Sequence, residues 1–348
     1  MEEWQLKQTV LLGGYTRKGG QGIYSAHFDD ETGTLTTPQP YFTALGSPTY
    51  LAISQRQVMY AIDGDGDQGG IAAIDMSGAH PRLINTALKP GSSPAHVSLD
   101  EQRQLVFASN YHAGRLNVYK IGADGAIAET DEVQHDGRGP RPEQESSHVH
   151  FASLTPDKRL VAIDLGNDRI YTYDVTDDGK LNHEQWLQLP AGYGPRHIQF
   201  HHQRSIAYVL GELSSQISVL RYQDDGTFQL LNTQSTIPAD WTAHNGAAAI
   251  RLSADNRFLY VSNRGYNSIA VYAVSDDGLT LTLIQQISSE GDFPRDFNLD
   301  LTEKYVLLVN QNTSNGTLYQ RNAQTGILTL SQKEIVTPEA VNVNFLAQ

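Results

Sequence analysis

The 348-residue chain contains no cysteine, and that one absence removes disulfides, thiolate metal sites and cysteine nucleophiles together. Positive charge is scarce: 25 Lys and Arg stand against 39 Asp and Glu, a formal net charge of −14. A nucleic-acid-binding surface needs clustered cations to meet phosphates, so nucleic acid is not an expected partner. A small anion remains possible, because a few arginines converging in one pocket suffice to hold it. Long apolar runs are missing too. No segment approaches the length of a membrane span, and Val10 to Leu12, behind the acidic Met1-Glu2-Glu3, is too short for a signal peptide. A soluble, cytoplasmic protein with no membrane attachment and no obligate protein partner is the expectation.

What the chain has is repetition. The phrases Pro48 to Ile53, Pro94 to Leu99, Val149 to Leu154, Pro195 to Phe200, Ala247 to Leu252, Pro294 to Leu299 and Glu339 to Phe345 follow one another at steps of 46, 55, 46, 52, 47 and 44 residues. Six residues beyond the end of each of the first six phrases a continuous apolar run begins, as at Leu105-Val106-Phe107-Ala108 and Phe258-Leu259-Tyr260-Val261. Runs of this length mark strands buried on both faces. An alternating strand follows, as at Arg115 to Tyr119 and Arg169 to Tyr173. Then comes a hairpin turn at Asp124-Gly125, Asp178-Gly179, Asp225-Gly226 or Asp277-Gly278, with Gly33 and Gly326 in the corresponding places of the first and last repeats. Asp-Gly suits the positive φ of tight hairpins. A four-strand phrase with this period is the mark of a β-propeller, so the expected fold is an all-β, seven-bladed propeller forming a single domain over residues 1–348. The phrase at Pro338 to Phe345 has nothing after it, and Val10 to Tyr15 matches the second strand Val106 to Tyr111. The C-terminal strand is therefore expected to complete the N-terminal blade.

In an antiparallel blade the start of the first strand and the end of the second lie at the same end of the sheet. Residues at those places gather around one mouth although they are far apart in sequence. First-strand entries supply His96, His148, His150, Arg196, His197, His244, Asn245 and Arg295; second-strand exits supply Asp63, Asn110, Asp164, Gly166, Glu212, Asn263, Arg264 and Gln311. Three arginines and several histidines from different blades converge where an anion and a general base are wanted. The longest step contains Asp136 to Ser147, a Gly, Pro and charge-rich stretch entering directly before His148. It reads equally as a lip over the site and as a solvated insertion.

Other signals are weaker. Asp63-Gly64-Asp65-Gly66-Asp67 resembles a calcium loop, but Gln68 stands where the turn glycine belongs and Ile74 where the last ligand belongs, so a rim loop is expected. His148 and His150, two apart on a strand, share a face, yet no third ligand is set by spacing and no metal is expected. His201-His202 falls past a strand end at the opposite face and is expected to be solvated.

With these motifs in view, the chain from Val10 to Phe345 resembles the seven-bladed propeller lactonases, a family that includes propeller-type 6-phosphogluconolactonases and carboxymuconate cyclases. The resemblance rests on Ser147-His148-Val149-His150, Asp164-Leu165-Gly166-Asn167-Asp168-Arg169, Gly194-Pro195-Arg196-His197, Gly211-Glu212-Leu213, Ser262-Asn263-Arg264-Gly265 and Phe293-Pro294-Arg295. Val149 replaces the proline of the family's usual His-Pro-His, leaving both imidazoles. The resemblance implies that His148, Arg196, Glu212 and Arg264 carry the chemistry. His150, Arg295, His96, Asn110, Asp164 and Asn263 are the expected substrate contacts.

The implied reaction is hydrolysis of a sugar lactone, 6-phosphogluconolactone to 6-phosphogluconate, a step of the pentose phosphate pathway, with no metal or organic cofactor. Water attacking an ester carbonyl needs a base and a cation for the developing oxyanion. His148 or Glu212 is the base, with Arg196 and Arg264 holding the oxyanion or the substrate's acidic groups; alternatively Glu212 pairs with an arginine and orients it. Two other readings stand beside this one: a lactonase or cyclase for another carboxylated lactone, and a non-catalytic propeller that binds a metabolite or protein.

Overall fold

Each repeat becomes a sheet for local reasons. In the computed structural model, which describes residues 7–347, the second strands Leu105–Asn110, Ile206–Gly211, Phe258–Arg264 and Tyr305–Asn310 are buried along their whole length. The outer strands, such as Leu181–Gln188 and Leu328–Val336, are mostly exposed. The six turn glycines Gly33, Gly125, Gly179, Gly226, Gly278 and Gly326 all take positive φ, between 66° and 89°. The result is a seven-bladed β-propeller of antiparallel sheets. The one helical element among the described residues is the 3₁₀ turn Pro142–Gln144. The acidic segment Met1 to Leu6, on which the absence of a signal peptide was argued, lies outside the described residues, as does Gln348.

The chain packs as two compact units. The first, Leu45–Gln234, holds four sheets whose first strands are Leu51–Ile53, His96–Asp100, Val149–Leu154 and Pro195–Phe200. These first strands lie side by side in that order. Between neighbouring sheets the side chains form continuous apolar layers. Leu105, Phe107, Leu116 and Val118 meet Val149, Ala152, Leu160, Tyr171 and Tyr173; Phe151, Val161, Ile163 and Ile170 meet Ile198, Val209, Leu220 and Phe228. Each large side chain removed from water in this way contributes about 2 kcal/mol.

The second unit comprises the described parts of Met1–Ala44 and Ser235–Gln348 and holds three sheets. Two are continuous repeats beginning at Gly246–Leu252 and Pro294–Leu299. In the third, the C-terminal strand Ala340–Ala347 pairs antiparallel with Lys7–Gly14, Val10 opposite Phe345, so the C-terminal strand joins the N-terminal blade. The outer edge of this blade is split into Thr34–Leu35 and Gln39–Phe42, both on Ile23–Asp29, with Pro38 between them. Proline has no N–H to continue the ladder, and the edge breaks there.

One sequence reading gains detail here and one changes. Asp65 pairs directly with Gln68 across a hairpin with Gly66 at φ 60°, and the Asp63 carboxylate accepts the N–H groups of Gly46 and Gly64, so the aspartates build a turn. His201 is buried, at 5% exposure, and burial lowers its pKa; only His202 is solvent-exposed. The chain folds back at Gln203, whose N–H reaches the His201 ring, and that turn covers the imidazole.

Candidate active site

The geometry of the first unit begins with two β-bulges. Val149 lies opposite Asp164 and Phe151 opposite Ile163, which leaves His150 as an inserted residue. Pro195 lies opposite Gly211 and His197 opposite Leu210, leaving Arg196 inserted in the same way. A bulge re-aims the inserted side chain. The i, i+2 argument for a shared face of His148 and His150 therefore does not apply, because the alternation is interrupted between them.

His148, 3% exposed, precedes its strand and stacks on Tyr111 with ring centroids 4.3 Å apart and an interplanar angle of 8°. Its Nδ1 lies 2.9 Å from the Tyr111 carbonyl oxygen. A carbonyl only accepts, so Nδ1 carries a proton and donates it, and in the neutral ring Nε2 holds the lone pair. The Glu145 carboxylate stands 3.3 Å from that Nε2. His150 sits edge-on to Tyr111 at 5.8 Å and to His197 at 5.3 Å; His96 lies between Tyr50 and Phe151 and 6.0 Å from His197. All three of these imidazoles are buried.

Arg196, 4% exposed, is held at two nitrogens. Its Nε is 2.9 Å from Glu212 Oε2, and Nη1 donates to His197 Nε2 at 3.1 Å. Guanidinium has donors only, so His197 is the acceptor there. Glu212 is thus the partner of Arg196, with about a fifth of its side chain in water. Tyr111 packs against both His148 and His150. Burial is the first cause of its raised pKa; the charges of Glu212, Glu145 and Glu143 raise it further and Arg196 opposes them, so the phenol stays neutral. The His148 imidazole and the arginine–glutamate pair are linked through Tyr111, His150 and His197, each in contact with the next.

Asp164 is fully buried and supports the site from beneath. Its Oδ1 accepts the N–H groups of His148 at 2.8 Å, Gly166 at 3.0 Å and Asn167 at 3.3 Å. Its Oδ2 accepts the Ser147 hydroxyl and faces His135 Nδ1 at 3.1 Å. Gly166 must lack a side chain, since a Cβ would run into the Ser146 carbonyl. Asp168 performs the parallel task for Arg196: it accepts the N–H groups of Gly192 and Gly194, both at 2.7 Å, and the amide of Gln144 at 2.7 Å. Asn110 ties Ser92 O to Ala113 N, again a scaffold contact.

The remaining expected residues lie in the second unit. Arg264 donates from Nε to Gly246 O at 3.0 Å and from Nη2 to Ala247 O at 3.3 Å, beside the Phe293 ring. Asn263 is fully buried and bonds Thr236 and Asn245. Arg295, the inserted residue of a third bulge, reaches Gln311 at 3.0 Å and lies over Tyr15. Among the described residues no group of three His, Asp or Glu is arranged to hold a metal ion.

Comparison with known proteins decides the family. The family model for lactonases with a seven-bladed β-propeller matches residues 9–345. The chain belongs to the seven-bladed propeller lactonases. A 6-phosphogluconolactonase of Bacillus subtilis is 39% identical over 348 residues, covering 98% of this chain and 99% of its own. Among solved structures, a Lactobacillus plantarum protein superposes with a TM-score of 0.96 at 53% identity, covering 98% of this chain and all of its own. A periplasmic gluconolactonase of Pseudomonas aeruginosa does so with a TM-score of 0.92 at 28% identity, covering 98% and 99%.

Sequence reasoning missed two groups at the candidate site. Tyr111, whose carbonyl orients His148, was visible only as the residue after a second strand. Glu145 was counted within a charged stretch, although its place three residues before His148 was available as a signal.

Proposed function

We propose that this lactonase hydrolyses a sugar lactone, 6-phosphogluconolactone to 6-phosphogluconate, with His148 as the base. The observation that carries the reading is the oriented imidazole of His148, with Nε2 as the acceptor, linked through Tyr111, His150 and His197 to the Arg196–Glu212 pair. Glu212 is already paired with the Arg196 guanidinium, while Nε2 of His148 is left as an acceptor, which favours His148 over Glu212 for the proton transfer. In this mechanism water attacks the lactone carbonyl and passes a proton to Nε2. The oxyanion forms beside Arg196, preorganised by Glu212 and His197. Collapse breaks the ring C–O bond, and the imidazolium returns its proton to the departing alkoxide.

The B. subtilis relative's name supports the phosphorylated substrate. A phosphate ester does not cross a bilayer unaided, because burying its charge in hydrocarbon costs far too much, so a cytoplasmic location is part of the same proposal. The P. aeruginosa neighbour favours a second reading, an unphosphorylated gluconolactone as substrate.

A pH-stat assay with freshly prepared 6-phosphogluconolactone, run beside gluconolactone, tests both readings. The expected result is catalysis of the phosphorylated lactone, lowered roughly 10²–10⁴-fold by H148A, the range for a general base, and lowered also by R264A as the family resemblance implies. No acceleration over spontaneous hydrolysis by micromolar protein overturns the proposal; preference for gluconolactone moves it to the second reading.

A further inference from the structure

The stretch Asp136 to Ser147 is anchored at both ends. Gln144 is fully buried, its amide donating to Leu165 O at 2.8 Å and to Asp168 Oδ1 at 2.7 Å, and Ser147, 4% exposed, is tied to Asp164. Asn167 holds Asp136 O at 3.0 Å. The segment is therefore a built lip. Glu145 sits between the two buried anchors in ordinary right-handed backbone, φ −63° and ψ −21°. Its side chain is 69% exposed, yet Oε2 lies 3.3 Å from Nε2 of an imidazole that is 4% exposed. One carboxylate thus touches bulk water at one end and the proton-accepting atom of His148 at the other.

Lactone hydrolysis has a proton to dispose of. The product is a carboxylic acid that ionises at neutral pH, so each turnover converts lactone and water into hydroxy-carboxylate and one proton. The proton taken from water returns to the ring oxygen when the C–O bond breaks. The second, from the new carboxylic acid, has to leave a buried site. His148 Nδ1 is committed to the Tyr111 carbonyl, so the path runs through Nε2.

We propose that Glu145 is the proton exit of the site, accepting from His148 Nε2 the proton that the product acid releases and handing it to solvent. This rests on the lactonase reading above. The Glu145 carboxyl is held below its ordinary value, by its own backbone N–H first and then by the His148 ring, which donates to it once Nε2 carries a proton, with His112 adding a little. It is ionised at neutral pH and holds the proton only in transit. Glu145 acts through His148 and needs no contact with substrate.

The test is steady-state kinetics of the wild type, E145Q and E145A in weakly buffered solution, repeated with increasing imidazole and formate. Loss of an intramolecular proton relay is expected to lower kcat roughly tenfold, leave KM within about twofold and leave the melting temperature unchanged, because the side chain is mostly in water. Added imidazole or formate restores kcat in both variants and leaves the wild type unaffected. A kcat equal to wild type in weak buffer overturns the proposal, as does a loss that no small buffer rescues. An active wild type with an inactive H148A and a normal E145Q removes the proton exit alone. A wild type inactive on every lactone removes the lactonase reading and the exit with it.

Discussion

Replacing Asp164 is expected to unseat His148 without altering any group placed next to substrate. The carboxylate is fully buried and accepts three backbone N–H groups and the Ser147 hydroxyl, besides facing His135. In D164A these donors lose their acceptor at about 1–3 kcal/mol each. Water entering the vacated space recovers part of that, so the net cost is about 4 kcal/mol, in line with removal of one partner from a buried charged pair. At about 2 °C per kcal/mol for a long chain, the melting temperature falls about 8 °C. D164N keeps an oxygen for the three N–H groups and places an amide opposite Ser147, whose hydroxyl turns to accept. It costs about 1–2 kcal/mol, since a neutral hydrogen bond replaces a charge-assisted one. Displacement of the His148 backbone lowers kcat roughly 10²-fold in D164A, while D164N stays within about tenfold. Thermal melts followed by circular dichroism, with lactone kinetics on the same samples, read both effects. A D164A melt within about 2 °C of wild type, or identical melts and kcat for D164A and D164N, refutes the reasoning.

Two further outcomes follow from charged groups elsewhere. R196K is expected to lose nearly as much kcat/KM as R196A, roughly 10²–10³-fold, because one ammonium cannot keep both Glu212 and His197; full activity in R196K would show that the fork geometry is unimportant. Glu339 accepts the N–H groups of Arg17, Lys18 and Gly20; burial opposes its ionisation, but these bonds outweigh it and lower its pKa. A depressed carboxyl stabilises the fold above its ordinary value of 4.5 and loses that contribution as pH falls through its folded-state value. E339Q therefore melts below wild type at pH 7 and the gap closes in acid; a gap that widens in acid contradicts the assignment.

The candidate site was partly legible. His148, Arg196 and Glu212 were reachable because the repeat places strand entries and exits at one end of a sheet. Asn110, Asp164 and Asn263 came from the same argument, and the structure gives them scaffold bonds instead. Asn110, Asn263 and Asn310 each donate a side-chain amide to a carbonyl 18, 27 and 21 residues back, at Ser92, Thr236 and Ser289. A position repeated from blade to blade holds the repeat together. At the corresponding strand ends Asp63 and Asp164 accept backbone N–H groups instead, and Gly14 and Gly211 carry no side chain.

Strand order, hairpin turns and the pairing of the two ends were determined by the sequence itself, since alternation, apolar runs and Asp-Gly turns act within a few residues. The proton position on His148 was decided by tertiary structure, because the carbonyl that orients it belongs to Tyr111, 37 residues away. So was the pairing of Glu212 with Arg196, which depends on a 2.9 Å approach between residues 16 positions apart. The bulges at His150 and Arg196 were equally unreadable, for an inserted residue looks like any other until its partner strand is known. Short-range preferences write the scaffold; distances between groups far apart in the chain set the chemistry.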